Sequence, residues 1–289
     1  VRILVVGGTR FIGAHLARRL HEQGEDVTLL HRGRTDNPIL PPVRRLHDPD
    51  AAYPIIRFPR AAAAADWDIV IDMVLMGEAD AHCAVETFAG RAGRLVMISS
   101  ADVYRAFGRL LRREPGPPDP VPLQEDAPLR ETRFPYRDQE AALGDYVRDY
   151  DKILAERVVM GGAALPWTVL RLPKVYGPED NADLATVYGF ADRPNWRWTH
   201  GYVGNVAAAI ALAACHPAAA RSIYNIGEDR TPTMGERLAR LTPRKNHPPP
   251  PDFDYAQPIV QDTSRIRSEL GYADVVNETE AMAALARRG

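Results

Sequence analysis

The stretch VVGGTRFIG, residues 5–13, decides the fold. It starts inside a short apolar run, ILVV (3–6), which has the character of a buried strand. It leads into a helical pattern from about Phe11 to Gln23, with Arg18, Arg19 and Glu22 on the polar face. A glycine-rich turn at such a junction lets backbone N–H groups approach a pyrophosphate, which then sits at the positive end of the helix. In this reading Gly7 supplies the tight turn and Gly13 lets helix pack closely on sheet, while Gly8, Thr9, Phe11 and Ile12 complete the loop. Arg10 stands where such loops normally carry their middle glycine. The competing reading is a purely structural strand-to-helix turn.

Outward from this unit, short β-rich runs alternate with helical patterns. DVTLL (26–30), DIVIDMV (68–74), RLVMIS (94–99) and WTVLRL (167–172) read as strands, with a helix near 79–90 and a long helix over about 139–160. Strands separated by helices of this length require crossover connections, so the fold class is α/β, a doubly wound parallel sheet of the Rossmann kind. The expected division is a dinucleotide-binding domain over 1–175 and a small C-terminal substrate lobe over 176–289, some of whose segments return to the main domain. In that lobe Val203–Cys215 reads as an alanine-rich helix, SIYNIG (222–227) as a short strand and Met234–Leu241 as a short helix. SRIRSELGY (264–272) reads as a further helix ended by Gly271.

The chain has 289 residues, a formal net charge of −2 and 45% hydrophobic residues, ordinary for a globular protein and without bias toward nucleic acid. Two cysteines, Cys83 and Cys215, indicate neither a disulfide framework nor a cysteine metal site, and no metal is expected. No apolar run is long enough for a membrane span, and the four-residue start ILVV is too short for a signal peptide. A cytoplasmic location is the expectation. The prolines gather around 115–128 and 243–258, which read as loops.

GGTRFIG resembles the GxxGxxG loop of the extended short-chain dehydrogenase/reductase superfamily, the NAD-dependent epimerase/dehydratase family, with Arg10 at the middle glycine. MISSADVY (97–104), KILAE (152–156), LRLPKVYGP (170–178), YVGNVAAAI (202–210), YNIG (224–227) and DTSRIRSELGY (262–272) match it in the same order, so the resemblance covers nearly the whole chain. The arginine-containing loop is also similar to that of chloroplast stem-loop-binding proteins and their bacterial relatives. The resemblance implies a bound dinucleotide, a small-molecule substrate such as a sugar nucleotide, and epimerase, dehydratase or reductase chemistry. It also allows a homodimer.

The second strand should end beside the adenosine ribose, where an acidic residue suits the 2′-hydroxyl of NAD. The chain instead reads LLHRGRTD, with His31, Arg32 and Arg34 at that place. A guanidinium suits a 2′-phosphate by charge and fork geometry, so NADP is expected, with NAD as the alternative. Arg10 stands near the same edge; a solvated arginine loop is the bland reading.

The superfamily's chemistry implies a tyrosine that exchanges a proton, a lysine four residues later that binds the nicotinamide ribose, and a Ser or Thr on the reacting oxygen. Ser100 matches the Ser/Thr position in SSADVY, with Ser99 beside it, and Lys152 matches the lysine. Pro173 and Val175 match the segment that passes the nicotinamide, with Tyr176 and Gly177 following. Four residues before Lys152, however, stands Arg148; Tyr150 is at minus two and Tyr146 at minus six. On a regular helix these point about 160° and about 120° away from Lys152. Three readings stay open: a later helix start that lets Tyr150 swing in from a turn, another tyrosine such as Tyr136 or Tyr104, or loss of the proton-transfer function. Asp72 reads as a turn cap, His200 as a structural histidine, and Trp196 and Trp198 as packing of the lobe. The lobe is short, with 24 residues between Pro178 and Val203. A catalytically inactive NADP-binding module is therefore the second reading. RNA binding through Arg105, Arg109, Arg112 and Arg113 is a lesser one, and nucleic acid is not the expected partner.

Overall fold

The alternation of apolar runs and helices builds a seven-stranded sheet in the computed structural model, which describes residues 1–35, 37–244 and 249–287. The strands are β1 (Arg2–Val6), β2 (Asp26–His31), β3 (Arg44–His47), β4 (Ile69–Asp72), β5 (Leu95–Ser100) and β6 (Trp167–Leu172). Two further strands, β7 (Lys174–Tyr176) and β8 (His200–Tyr202), pair with each other, and β9 (Ser222–Asn225) completes the main sheet in the order β3-β2-β1-β4-β5-β6-β9. β1 lies parallel to both β2 and β4, with Ile3 opposite Val27 and Ile69. β4 and the last four residues of β1 are wholly buried, because crossover helices cover both faces of such a sheet. The strand order reverses between β1 and β4, so the 5–13 turn stands at the switch point.

The helices Phe11–Glu22, Val203–Cys215 and Ser264–Leu270 fall where the sequence places them, the last ended by Gly271 in the left-handed region at φ +70°. β3 was invisible to hydrophobic patterning because Arg44, Arg45 and His47 make it a polar edge strand. One expectation fails: there is no continuous helix over 139–160. Short turns cover Arg137–Gln139, Glu140–Leu143 and Asp145–Arg148, and the regular helix is Lys152–Gly161. Two local causes are plain. Gly144 has φ +102°, outside helical space, and the buried Asp151 caps the later helix by accepting from the N–H groups of Ile153 and Leu154. Its other oxygen accepts from Phe134 N at 2.8 Å, so the break is anchored on both sides.

The chain divides into two units, one of residues 1–100, 132–171 and 210–223, the other of 101–131, 172–209 and 224–289. The first holds a core that includes Leu4, Val6, Val70, Phe88, Met97 and Val159. The second is centred on Tyr176, Leu184, Val187, Tyr188, Met282 and Leu285, the last two from the helix Glu278–Ala286. Among the described residues no helix is long and apolar enough to cross a membrane.

Candidate functional site

In the first unit the glycines of the 5–13 turn are required by their surroundings. Gly7 has φ +82°, and a Cβ there would lie 2.4 Å from Val74. A Cβ on Gly13 would lie 2.7 Å from the Cα of Gly8, backbone against backbone. Position 10 makes no such demand. Arg10 is extended at φ −133° and ψ 153°, a conformation open to any residue, and the left-handed turn is taken by Phe11 at φ +43°. The arginine therefore costs the loop nothing in backbone strain. No side chain caps the N-terminus of the Phe11–Glu22 helix and its first turn carries no acid, so its positive end is left for an anion.

Beside this turn is a cavity of about 310 Å³ bounded by the ends of β1, β2 and β3. Gly7, Thr9 and Arg10 line it, while Gly8, Phe11, Ile12 and Gly13 shape the turn behind. Arg32 and Arg34 line it too, so the structure brings together all three arginines singled out in the sequence. Arg34 donates to Pro49 O at 2.9 Å, and Arg57 reaches Asp48 at 3.4 Å. Asp48, Tyr53 and Arg57 also line the cavity and were missed by sequence reasoning: Asp48 directly follows β3, itself missed, and Tyr53 and Arg57 lie in the irregular segment beyond. An acid directly after a short polar strand was the available signal. Burial, with Asp72 adding and Arg32 opposing, pushes the Tyr53 phenol up to about 12.

At the end of β5 the helix break has a chemical consequence. Lys152 is buried, and its Nζ donates to Leu75 O and, at 2.9 Å, to Ile98 O. Tyr150 lies outside the helix, in the turn before Asp151, and its ring centroid is 5.8 Å from Lys152 Nζ. Tyr136 packs against Tyr150 with ring centroids 5.4 Å apart. Arg148, at the minus-four position, is exposed and paired with Glu140. Ser100 ends β5, half-buried. Ser99 turns the other way: its hydroxyl donates to Glu156 Oε1 at 2.6 Å, inside the buried bidentate pair of Glu156 with Arg171. Its side chain is committed to that pair, which leaves only its backbone for a ligand.

Asp72 caps the turn after β4, accepting from Val74 N at 2.9 Å. Burial, reinforced by Asp80 and opposed by Lys152 and by that hydrogen bond, pushes its carboxyl up to about 7. Burial also raises the Asp80 carboxyl, which accepts from Met76 N and Gly77 N.

The second unit holds the remaining residues. Pro173 and Val175 are buried there, Val175 in β7 opposite Gly201 of β8. The Tyr104 hydroxyl donates to Asn225 Oδ1 at 2.6 Å. His200 is fully buried; its Nδ1–H donates to Trp198 O and its Nε2 meets the Thr186 hydroxyl at 3.0 Å. Burial and Arg237 hold it well below the usual histidine range, so it is neutral. Trp196 and Trp198 pack with Phe190. Arg105 and Arg109 both pair with Asp119, and Arg112 with Asp252, so these three arginines do not form an unopposed basic patch.

Sheet order, glycine turn and arginine-lined cavity together define a Rossmann-type α/β protein. The chain belongs to the NAD dependent epimerase/dehydratase family, whose model matches residues 3–227. Curated protein sequences gave no match. Among solved structures it is similar to MoeE5 in complex with UDP-glucose and NAD, at 21% identity and TM-score 0.70 over 100% of this chain and 99% of that one. It is also similar to the UDP-glucose 4-epimerase of Thermotoga maritima with UDP-glucose, at 17% identity and TM-score 0.72 over 99% and 98% of the two chains. The Thermus thermophilus UDP-glucose 4-epimerase complex with NAD gives 20% identity and TM-score 0.70 over 100% and 99%.

Proposed function

We propose that the protein binds NADP in preference to NAD and acts as an epimerase, dehydratase or reductase on a sugar nucleotide or related small carbonyl or carbinol compound. The position of Tyr150 carries the catalytic half of this reading. Because the helix begins only at Lys152, the tyrosine two residues earlier is outside helical geometry and lies against the lysine. That placement puts a phenol beside the lysine of the site, the arrangement a proton-exchanging tyrosine needs.

The residues present fit a dinucleotide. The turn at Gly7 and Gly13 is a cradle that a Cβ would fill, beside an uncapped helix N-terminus. Arg10, Arg32 and Arg34 on the cavity wall suit a 2′-phosphate, and β2 ends in His31 rather than an acid. When bound, the nicotinamide supplies hydride transfer. The chain's own part is to hold and move protons. Ser100 hydrogen-bonds the reacting oxygen, Tyr150 gives or takes its proton, and Lys152 orients the ribose and holds the phenol's charge. Pro173 and Val175 keep the role of passing the nicotinamide, and the chain beyond residue 176 is assigned to substrate selection.

Turnover of UDP-sugars with NADP(H) or NAD(H) tests the reading. Tyr150→Phe and Ser100→Ala should each lower kcat by about 100-fold, the scale of general acid–base catalysis, with cofactor affinity kept. Cofactor that binds and never changes redox state with any UDP-sugar or carbonyl compound supports the inactive module instead, the reading favoured by Arg148 at minus four.

A further inference from the structure

His31 ends β2 on the cavity wall. Where the last residue of β2 would carry an acid for a free ribose hydroxyl, His31 directs Nδ1 at its own loop and accepts from Gly33 N at 3.1 Å. Gly33 is in the left-handed region at φ +75°. The chain therefore folds back immediately after β2, and Arg32 and Arg34, on either side of Gly33, line the same cavity.

Three further contacts fasten this fold-back to the neighbouring strand. Asp48 N donates to His31 O at 3.0 Å, continuing the β2–β3 pairing beyond the strands. Arg34 donates to Pro49 O. The imidazoles of His31 and His47 meet edge to face with centroids 4.6 Å apart. His31 Nε2 is sealed from solvent and has no hydrogen-bond partner among the described residues. With Nδ1 used as an acceptor, the neutral ring carries its proton on that nitrogen. A buried donor without a partner is unfavourable, so hydrogen-bond satisfaction alone does not account for an imidazole here.

We propose that His31 is a positioning residue that sets cofactor selectivity: its Nδ1 folds the Arg32-Gly33-Arg34 turn so that both guanidiniums face one ribose-phosphate position. The inference rests on the reading of the cavity as an adenosine site. Burial, with His47 and Arg45 adding, lowers the basicity of the ring and keeps the acceptor lone pair available. The bond is the imidazole equivalent of an Asx turn, in which a side-chain acceptor takes the N–H two residues on. Asparagine can replace it; leucine cannot. Aspartate keeps the turn and adds a charge that opposes a 2′-phosphate and accepts from a 2′-hydroxyl.

The test is the ratio of Kd values for NADP+ and NAD+ measured on the full chain for the wild type and for His31→Leu, His31→Asn and His31→Asp, with melting temperatures recorded alongside. The wild type should favour NADP+. His31→Leu should lose about tenfold of that preference, the scale of a charge-assisted contact, while NAD+ affinity holds. His31→Asn should keep the preference within about threefold, roughly 0.7 kcal/mol, and His31→Asp should reverse it. Equal loss of both cofactors in His31→Leu, or an unchanged ratio there, overturns the proposal. Should His31→Leu not fold, a large loss of preference in a folded His31→Asn overturns it equally. A wild type that binds NADP+ normally with a ratio indifferent to His31 sinks this inference alone. A wild type that binds neither dinucleotide sinks the adenosine site as well.

Discussion

Arg10 raised the question of whether the opening turn still works, and its backbone answers it. Glycine is demanded where φ is positive or where another backbone presses close, and position 10 has neither constraint. Positions 7 and 13 have them. Gly13→Ala should therefore force the Phe11–Glu22 helix away from Gly8. The expected outcome is about 1–3 kcal/mol of lost stability, typical of overpacking, with loss of dinucleotide binding; Arg10→Ala should leave stability unchanged. Thermal melts and cofactor titrations on the two variants check this. Unchanged binding in Gly13→Ala would show that the turn yields without consequence.

At the scale of elements, the broken helix before Lys152 matters more than any single motif. Asp151 fixes the start of Lys152–Gly161 and also holds the 134 segment through Phe134 N, so one carboxylate organises the turn that presents Tyr150. Removing a cap of this kind costs about 1–2 kcal/mol. Asp151→Ala should show that loss in denaturant unfolding and a fall in turnover; Asp151→Asn, which keeps one of the two acceptor oxygens, should recover the helix cap and only part of the turnover. Full activity in a destabilised Asp151→Ala would separate the cap from catalysis. The cap was legible as an Asp ahead of an apolar periodic run. The periodic pattern upstream masked it and suggested one helix from 139 to 160. β3 was lost for the opposite reason, since a polar edge strand gains its structure from backbone pairing with β2 rather than from burial.

For the whole molecule, each unit buries an acid that holds its proton unusually late. Burial pushes Asp72 up to about 7 in the first unit and Glu228 up to about 8 in the second. The folded state binds these protons more tightly than the unfolded chain. Their contribution to stability is complete below the ordinary carboxylate range and is lost as pH rises through about 7 and about 8. The melting temperature should therefore fall progressively from about pH 4 to about pH 8 and level off above that. Asp72→Asn retains an acceptor for Val74 N and cannot ionise, so it should flatten the decline. A slope identical to that of the wild type would remove Asp72 from the account.

Local sequence determined the doubly wound sheet, the glycine turn, the main helices and the replacement of an acid by His31, Arg32 and Arg34. These follow from apolar periodicity and from short-range backbone geometry, which a short run of residues expresses by itself. Tertiary structure decided the rest. It gave Ser99 a structural duty through Glu156, 57 positions away. It placed Asp48 and Tyr53 on the cavity wall with Arg10, Arg32 and Arg34. It set Tyr150 against Lys152 by ending a turn rather than continuing a helix. Which side chain meets which across such distances depends on packing and on buried partners, and neither is written in the spacing of a motif.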